Sequence, residues 1–193
     1  MSPDPSGETT PRVSPVEEGR RAAIRLAREQ FMASRRIEMG QLAHELGVSR
    51  MTLNRWVGSR DLLLGEVSWS LGRATLDGCR RRATGAGADA VASTMEAFIA
   101  AVLDAPFMRH FLKQESEIAL RILTTRASSH QRSFIEYVTT MLREDAPANG
   151  NMPVEDLAYL IVRIAESFCY VDLITGDQPD SSKVGKAIAA LLR

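Results

Sequence analysis

The stretch 39–57, MGQLAHELGVSRMTLNRWV, constrains this chain more than any other, because it reads as two short helices joined by a tight hinge. Gly47 follows the last apolar residue of the first helix, where the backbone must take a positive φ that a Cβ resists. Val48 can then turn inward to seal the corner. Ser49 stands where a hydroxyl caps the next helix, accepting a backbone N–H two or three residues on. Leu42, Leu46, Val48, Leu53 and Val57 supply apolar inner faces, while Arg50, Met51, Asn54 and Arg55 fall on the other side of the second helix. Such an outer face suits a DNA major groove, since arginine reads guanine edges and phosphates and asparagine reads adenine. The spacing predicts a helix-turn-helix, with Arg50, Met51, Thr52, Asn54 and Arg55 in the groove and Ser49, Trp56 and Arg60 on the phosphate backbone. A solvated helical hairpin in an ordinary bundle is the plainer reading. It leaves the agreement of hinge, cap, buried face and basic face to coincidence.

Charge distribution points the same way. The formal net charge is zero, but residues 19–60 hold nine Arg against three Asp or Glu, and residues 61–193 hold fourteen Lys or Arg against seventeen acids. The positive charge is thus concentrated around the predicted DNA reader. The two cysteines, Cys79 and Cys169, form no CxxC pair, which argues against a structural zinc site or a disulfide framework. No secretory leader pattern and no run of about eighteen apolar residues is found, so a cytoplasmic chain with no membrane partner is expected.

Residues 1–13 carry three prolines among Ser, Gly, Thr and acids, and are expected to form a flexible arm; Arg12 at its end is either part of an untidy terminus, the commoner case, or a basic residue that reaches a minor groove. Ser14-Pro15-Val16-Glu17 is a helix start with serine as cap, proline at the first helical position and glutamate positioned to close a capping box. That helix is expected to run to about residue 34, with Ile24, Ala27 and Phe31 inward. A fourth helix, capped by Ser59, runs toward residue 82. Beyond the loop at 84–87 the pattern is helical throughout: 90–103, 106–112, 115–144 with a break near 124–129, 152–175 and 181–192. The fold class is therefore all-α. A DNA-binding unit is expected over 14–60, and a helical ligand-binding and dimerisation domain over 61–193.

The helix near 153–175 is apolar around most of its circumference and must be covered on more than one side. Leu157, Leu160, Ile161, Ile164 and Phe168, with Val184, Ile188 and Leu191 of the last helix, are the expected homodimer interface. Within it Tyr159, Arg163, Glu166 and Tyr170 recur at intervals of four, three and four residues, which stacks them on one face. Buried charges need partners or a ligand. Either Arg163 and Glu166 pair with each other, or the stripe faces a small-molecule cavity with Met95, Phe98, Phe111, Phe134 and Tyr137 as further walls.

These residues resemble the TetR family of one-component transcriptional repressors, from about Gly19 through Val67. The resemblance centres on Leu42-Ala43, Leu46-Gly47-Val48-Ser49, Thr52-Leu53 and Gly58-Ser59-Arg60-Asp61-Leu62-Leu63. Arg109-His110-Phe111-Leu112, Leu123-Thr124-Thr125-Arg126, Arg163-Ile164-Ala165-Glu166-Ser167-Phe168 and Trp56-Val57-Gly58-Ser59-Arg60 are similar to the QsdR-type subgroup, associated with genes that degrade lactone quorum-sensing signals. The resemblance implies a homodimer on a roughly palindromic DNA operator, released by a small hydrophobic effector such as a lactone or an acyl-homoserine lactone. Three departures stand out. Asn54 replaces the family's common tyrosine, Trp56-Val57 its histidine-phenylalanine pair, and Glu38 its serine or threonine cap.

An enzyme is the rival from another class. The histidines His44, His110 and His130 are scattered, and no phosphate loop, nucleophile elbow or metal-ligand helix is found, so no catalytic residue, metal or cofactor is expected. The other rival is a helical DNA-binding or scaffold protein without an effector. It predicts a filled core where a sensor has a cavity.

Overall fold

The computed structural model describes residues 14–146 and 152–193, all helix and connecting turns. The expected arm 1–13, Arg12 included, lies outside the described residues. Eleven helices occur among those described: α1 Pro15–Met32, α2 Met39–Glu45, α3 Arg50–Val57, α4 Arg60–Arg81, α5 Ala88–Asp104, α6 Pro106–Gln114, α7 Ser116–Thr124, α8 His130–Asp145, α9 Val154–Cys169, α10 Val171–Ile174 and α11 Ser181–Leu191. No single helix among them is long and apolar enough to cross a membrane.

Side-chain caps start four of these helices, the fourth being α11 on Asp180. Ser14, Ser49 and Ser59 accept the backbone N–H of Glu17, Thr52 and Leu62, so α1, α3 and α4 each begin on a serine cap. The reciprocal half of the expected capping box is absent, because Glu17 accepts from Arg21 at 3.1 Å instead. Helix α1 also ends two residues early, at Met32, and Ser34 turns the chain with φ 55°. The expected helix over 152–175 breaks at Tyr170, whose φ of −110° separates α9 from the single turn of α10.

Helix α4 joins the two halves of the molecule. It packs on α1 and α3 and also on α5, α7 and α8. Leu63, Leu64 and Val67 are sealed in the core, and Leu76 and Cys79 continue the buried side, while Ala74 is exposed. The buried stripe drifts around a helix of 22 residues because its neighbours change along its length. At Gly65 the α7–α8 turn comes so close that a Cβ would lie 2.4 Å from that of Ser128. At its far end Arg80 bridges to Asp145 at 2.6 Å and Glu144 at 2.8 Å. These bonds tie the end of α4 to the end of α8.

Helices α5, α8, α9 and α11 complete the larger domain, with α11 packed along α5 and against α9. That arrangement corrects part of the expected dimer interface. Ile161, Val184 and Ile188 are fully buried and Leu157 nearly so, all inside their own subunit. Only Leu160, Ile164, Phe168 and Leu191 of that set retain surface. Periodicity showed a helix that needed covering on several sides, but α5 and α8 supply much of the cover that was assigned to a partner.

Candidate DNA-reading face and effector cavity

The reading helix is built from its hinge upward. Gly47 has φ 67°, and the N–H groups of Gly47 and Val48 return to the carbonyls of His44 and Ala43, which closes α2 in a left-handed turn. Ser49 accepts from the Thr52 N–H at 3.0 Å, and the two hydroxyls lie 2.9 Å apart. Leu53 and Val57 are buried against α1 and α4, which turns Arg50, Met51, Asn54 and Arg55 outward. Met51 is 82% exposed, an apolar side chain standing in water at the start of the reading helix. At the start of α2, Glu38 makes no side-chain cap bond; its carboxylate pairs with Arg36 at 2.6 Å while its charge still favours the helix N-terminus.

Two expected phosphate contacts do other work. The Trp56 indole is half-buried against α1, where a Cβ on Gly19 would come within 2.5 Å of the ring. Arg60 is drawn inward. Its Nε donates to the Ile37 carbonyl at 2.6 Å, and its Nη2 meets both carboxylate oxygens of Glu115, at 2.9 and 2.7 Å. Their side chains are only 17% and 9% exposed, so Arg60 fastens the start of α4 to the loop before α2 and to the α6–α7 junction. Sequence spacing placed Arg60 beside the reader. It carried no sign of Glu115, 55 residues away.

The Trp56 contact is testable by a single methyl group. Gly19→Ala is expected to cost about 1–3 kcal/mol through overpacking at the indole. Gly40→Ala, with nothing within 4 Å of the new Cβ, should leave thermal unfolding unchanged or raise its midpoint slightly. Equal midpoints for the two variants would mean that the indole moves aside freely.

In the larger domain a cavity of about 60 Å³ lies between α4, α5, α6, α8 and α9. It can hold a few waters. Phe98, Phe134, Glu166 and Tyr170, four of the expected ligand contacts, line it. The other five do not. Met95 is fully buried in the packing of α5, and Phe111 stands edge-on to Phe31 of α1 with centroids 5.2 Å apart. Tyr137 donates to Asp77 at 2.8 Å, Tyr159 is 48% exposed, and the Arg163 guanidinium sits 6.0 Å from the Tyr159 ring centroid. The stripe on α9 therefore divides, its first two members outside and its last two within. Both expectations for it are partly realised: Arg163 does pair with Glu166, at 2.6 Å, yet only one carboxylate oxygen is engaged.

Glu166 is 7% exposed, and its Oε1 has no hydrogen-bond partner among the described residues. Burial pushes its carboxyl up to about 7, although Arg163 and the neighbouring Gln131 amide pull in the opposite direction. Across the cavity His130 is buried without a charged partner and is pushed down to about 4. Burial likewise keeps the Tyr170 phenol protonated by raising it well above its ordinary value, and holds the Cys169 thiol up at about 12. Residues that sequence reasoning missed, among them Ser68, Leu71, Val102, Phe107, Leu123 and His130, come from every helix from α4 to α9. His130 alone offered a signal, as a histidine at a helix start in an apolar setting. Phe107 has one side on the cavity and its ring 5.7 Å from Phe31, in the first helix of the DNA-reading unit.

Residues 86–193 match the family described as tetracyclin repressor-like, C-terminal domain, which is more than half of the chain. The chain belongs to the TetR family. It is similar to the solved structure of the R. erythropolis transcriptional repressor QsdR from the TetR family. That match has a TM-score of 0.86 and 25% identity, over 92% of this chain and 96% of that one. The TetR family repressor AlkX from Dietzia sp. strain DQ12-45-1b, implicated in biodegradation of n-alkanes, shares the fold. There the TM-score is 0.60 and the identity 23%, over 95% of this chain and 97% of that one. No curated protein matches the chain. As a TetR-family member it is a regulator of transcription with an N-terminal helix-turn-helix and a C-terminal helical domain.

Proposed function

We propose that this TetR-family chain is a repressor that binds a palindromic operator as a homodimer and leaves it when a small, largely apolar effector enters the cavity. The observation that carries the reading is the double role of α4, whose first half supports the reading helix and whose Ser68, Leu71, Gly72 and Thr75 wall the cavity. At about 60 Å³ the cavity is too small for a ligand with a carbon chain, so occupancy must move its walls. Two of those walls reach the DNA-reading unit: α4 directly, and α6 through Phe107 on Phe31. Domain boundaries are read at 14–60 for the DNA-binding unit and 61–193 for the ligand and dimer domain. Dimerisation uses the surface left on Leu160, Ile164, Phe168 and Leu191.

In a dimer the two readers must fit half-sites about 34–36 Å apart, so a shift of a few ångströms spoils both together. An acyl-homoserine lactone or a simple lactone is the effector class that the likeness to QsdR supports, together with an apolar cavity holding few polar groups.

Selection of bound duplexes from a random DNA pool, followed by gel shifts, tests the reading. Two half-sites related by a dyad are expected. Arg55→Ala and Asn54→Ala should each weaken binding about 5- to 150-fold while leaving the dimer intact, because both side chains are exposed and hold nothing in the fold. Unchanged affinity in both variants would remove α3 as the reader.

A further inference from the structure

The effector cavity proposed above carries a polar signature of its own. Ser68 Oγ donates its one hydrogen to the Gly65 carbonyl at 3.1 Å, yet also lies 3.0 Å from His130 Nδ1. The hydroxyl and Nδ1 therefore satisfy each other within the wall, and neither is left for a ligand. Glu166 Oε1 makes no hydrogen bond among the described residues, on a carboxylate whose other oxygen is held by Arg163 and which has the Gln131 amide as its neighbour. Thr75, another polar wall residue, has given its hydroxyl hydrogen to the Leu71 carbonyl at 3.0 Å. The remaining walls are largely hydrocarbon, from Leu71, Phe98, Val102 and Phe107. A buried acceptor that meets no donor costs its full desolvation, and a ligand that supplies the donor recovers it.

We propose that the cavity takes an apolar molecule headed by a hydrogen-bond donor, an amide, alcohol or amine, and that Glu166 rejects carboxylates and ligands that offer acceptors alone. The proposal rests on the cavity being the effector site, and it divides the two effector chemistries named for it. An acyl-homoserine lactone carries an amide N–H; a simple lactone carries none.

Chain-matched probes separate the cases. At pH 8.5, where Glu166 is ionised, octanamide, 1-octanol, octylamine, octanoate and methyl octanoate are titrated by calorimetry and thermal shift into the full-length protein and into Glu166→Met, which keeps the length of the side chain and removes both oxygens. The three donors are expected to bind at least about tenfold more tightly than the ester and octanoate, the size of one hydrogen bond to a charged group. In Glu166→Met the amide and the ester should bind within about twofold of each other. If the ester or octanoate binds the natural protein as tightly as the amide and alcohol, the donor rule is overturned while the effector cavity stands. The donor rule is equally overturned if Glu166→Met folds and keeps the full preference. If none of the five binds or shifts unfolding, the effector reading of the cavity fails and the donor rule with it.

Discussion

Glu115→Ala is expected to lower stability by about 3 kcal/mol, because it leaves the Arg60 guanidinium largely buried with only the Ile37 carbonyl to meet it. For a chain of this size that is a fall of roughly 6–12 °C in the unfolding midpoint. Pairing a cation with a carboxylate inside a protein yields little net energy, but removing one member exposes the whole desolvation cost of the other. Arg60→Met combined with Glu115→Leu should therefore recover most of the loss, since neither residue of the double variant needs a partner. The functional consequence separates this pair from a mere staple. Arg60 joins the loop before α2 to the α6–α7 junction, so the double variant should bind operator but respond less to effector. A double variant with full induction would show that movement passes through α4 itself or the Phe107–Phe31 contact instead. An unchanged midpoint for Glu115→Ala would show that the pair is not buried in solution.

The second large effect is a dependence on pH. Glu166 in the folded chain holds its proton up to about 7, against an ordinary value near 4.5, so between those values the folded state binds more protons than the unfolded one. Stability from this group is present below about 4.5 and is lost as pH rises to about 7, with an upper magnitude of about 3 kcal/mol. His130 acts in the opposite sense. Its folded-state value near 4 lies below the ordinary 6.5, so its penalty is felt in acid and disappears as pH rises through that window. The windows overlap, and the natural protein should show a shallow profile between about pH 4.5 and 6.5 because the two slopes oppose. Glu166→Gln removes one of them. Its midpoint relative to the natural protein should climb steadily from about pH 5 to about pH 7.5, whatever constant offset comes from losing the pair with Arg163. A difference independent of pH would mean that Glu166 titrates normally and is hydrated.

The helix-turn-helix was legible because every residue that builds it lies within about twenty positions. Gly47, Ser49, Leu53 and Val57 act on neighbours three or four residues away, through backbone φ, a cap bond and one buried face. The departures at Asn54 and Glu38 were equally visible, and both sit where the sequence places them. The packing of Trp56 was not legible because its partner is Gly19, on a different helix, and a glycine advertises nothing about what rests on it. The α9 stripe divides for a related reason. A period of three and four residues stacks side chains on one face, but Tyr159 and Tyr170 are far enough apart along α9 to meet different neighbours, water in one case and the cavity in the other.

The class of the molecule, the place of the DNA reader and the end of nearly every helix could be had from the chain's own order of residues, since caps, glycine hinges and hydrophobic period are local interactions. Packing in three dimensions was needed to establish what α4 touches along its length, which of the apolar residues on α9 and α11 stay inside the subunit, and that Arg60 pairs with Glu115. It was needed, too, to bring Glu166 and His130 to one cavity, though they stand far apart in the chain. Burial and pairing across such distances depend on how helices stack. A pattern of period 3.6 states that a helix has an inner face and is silent about what will meet it.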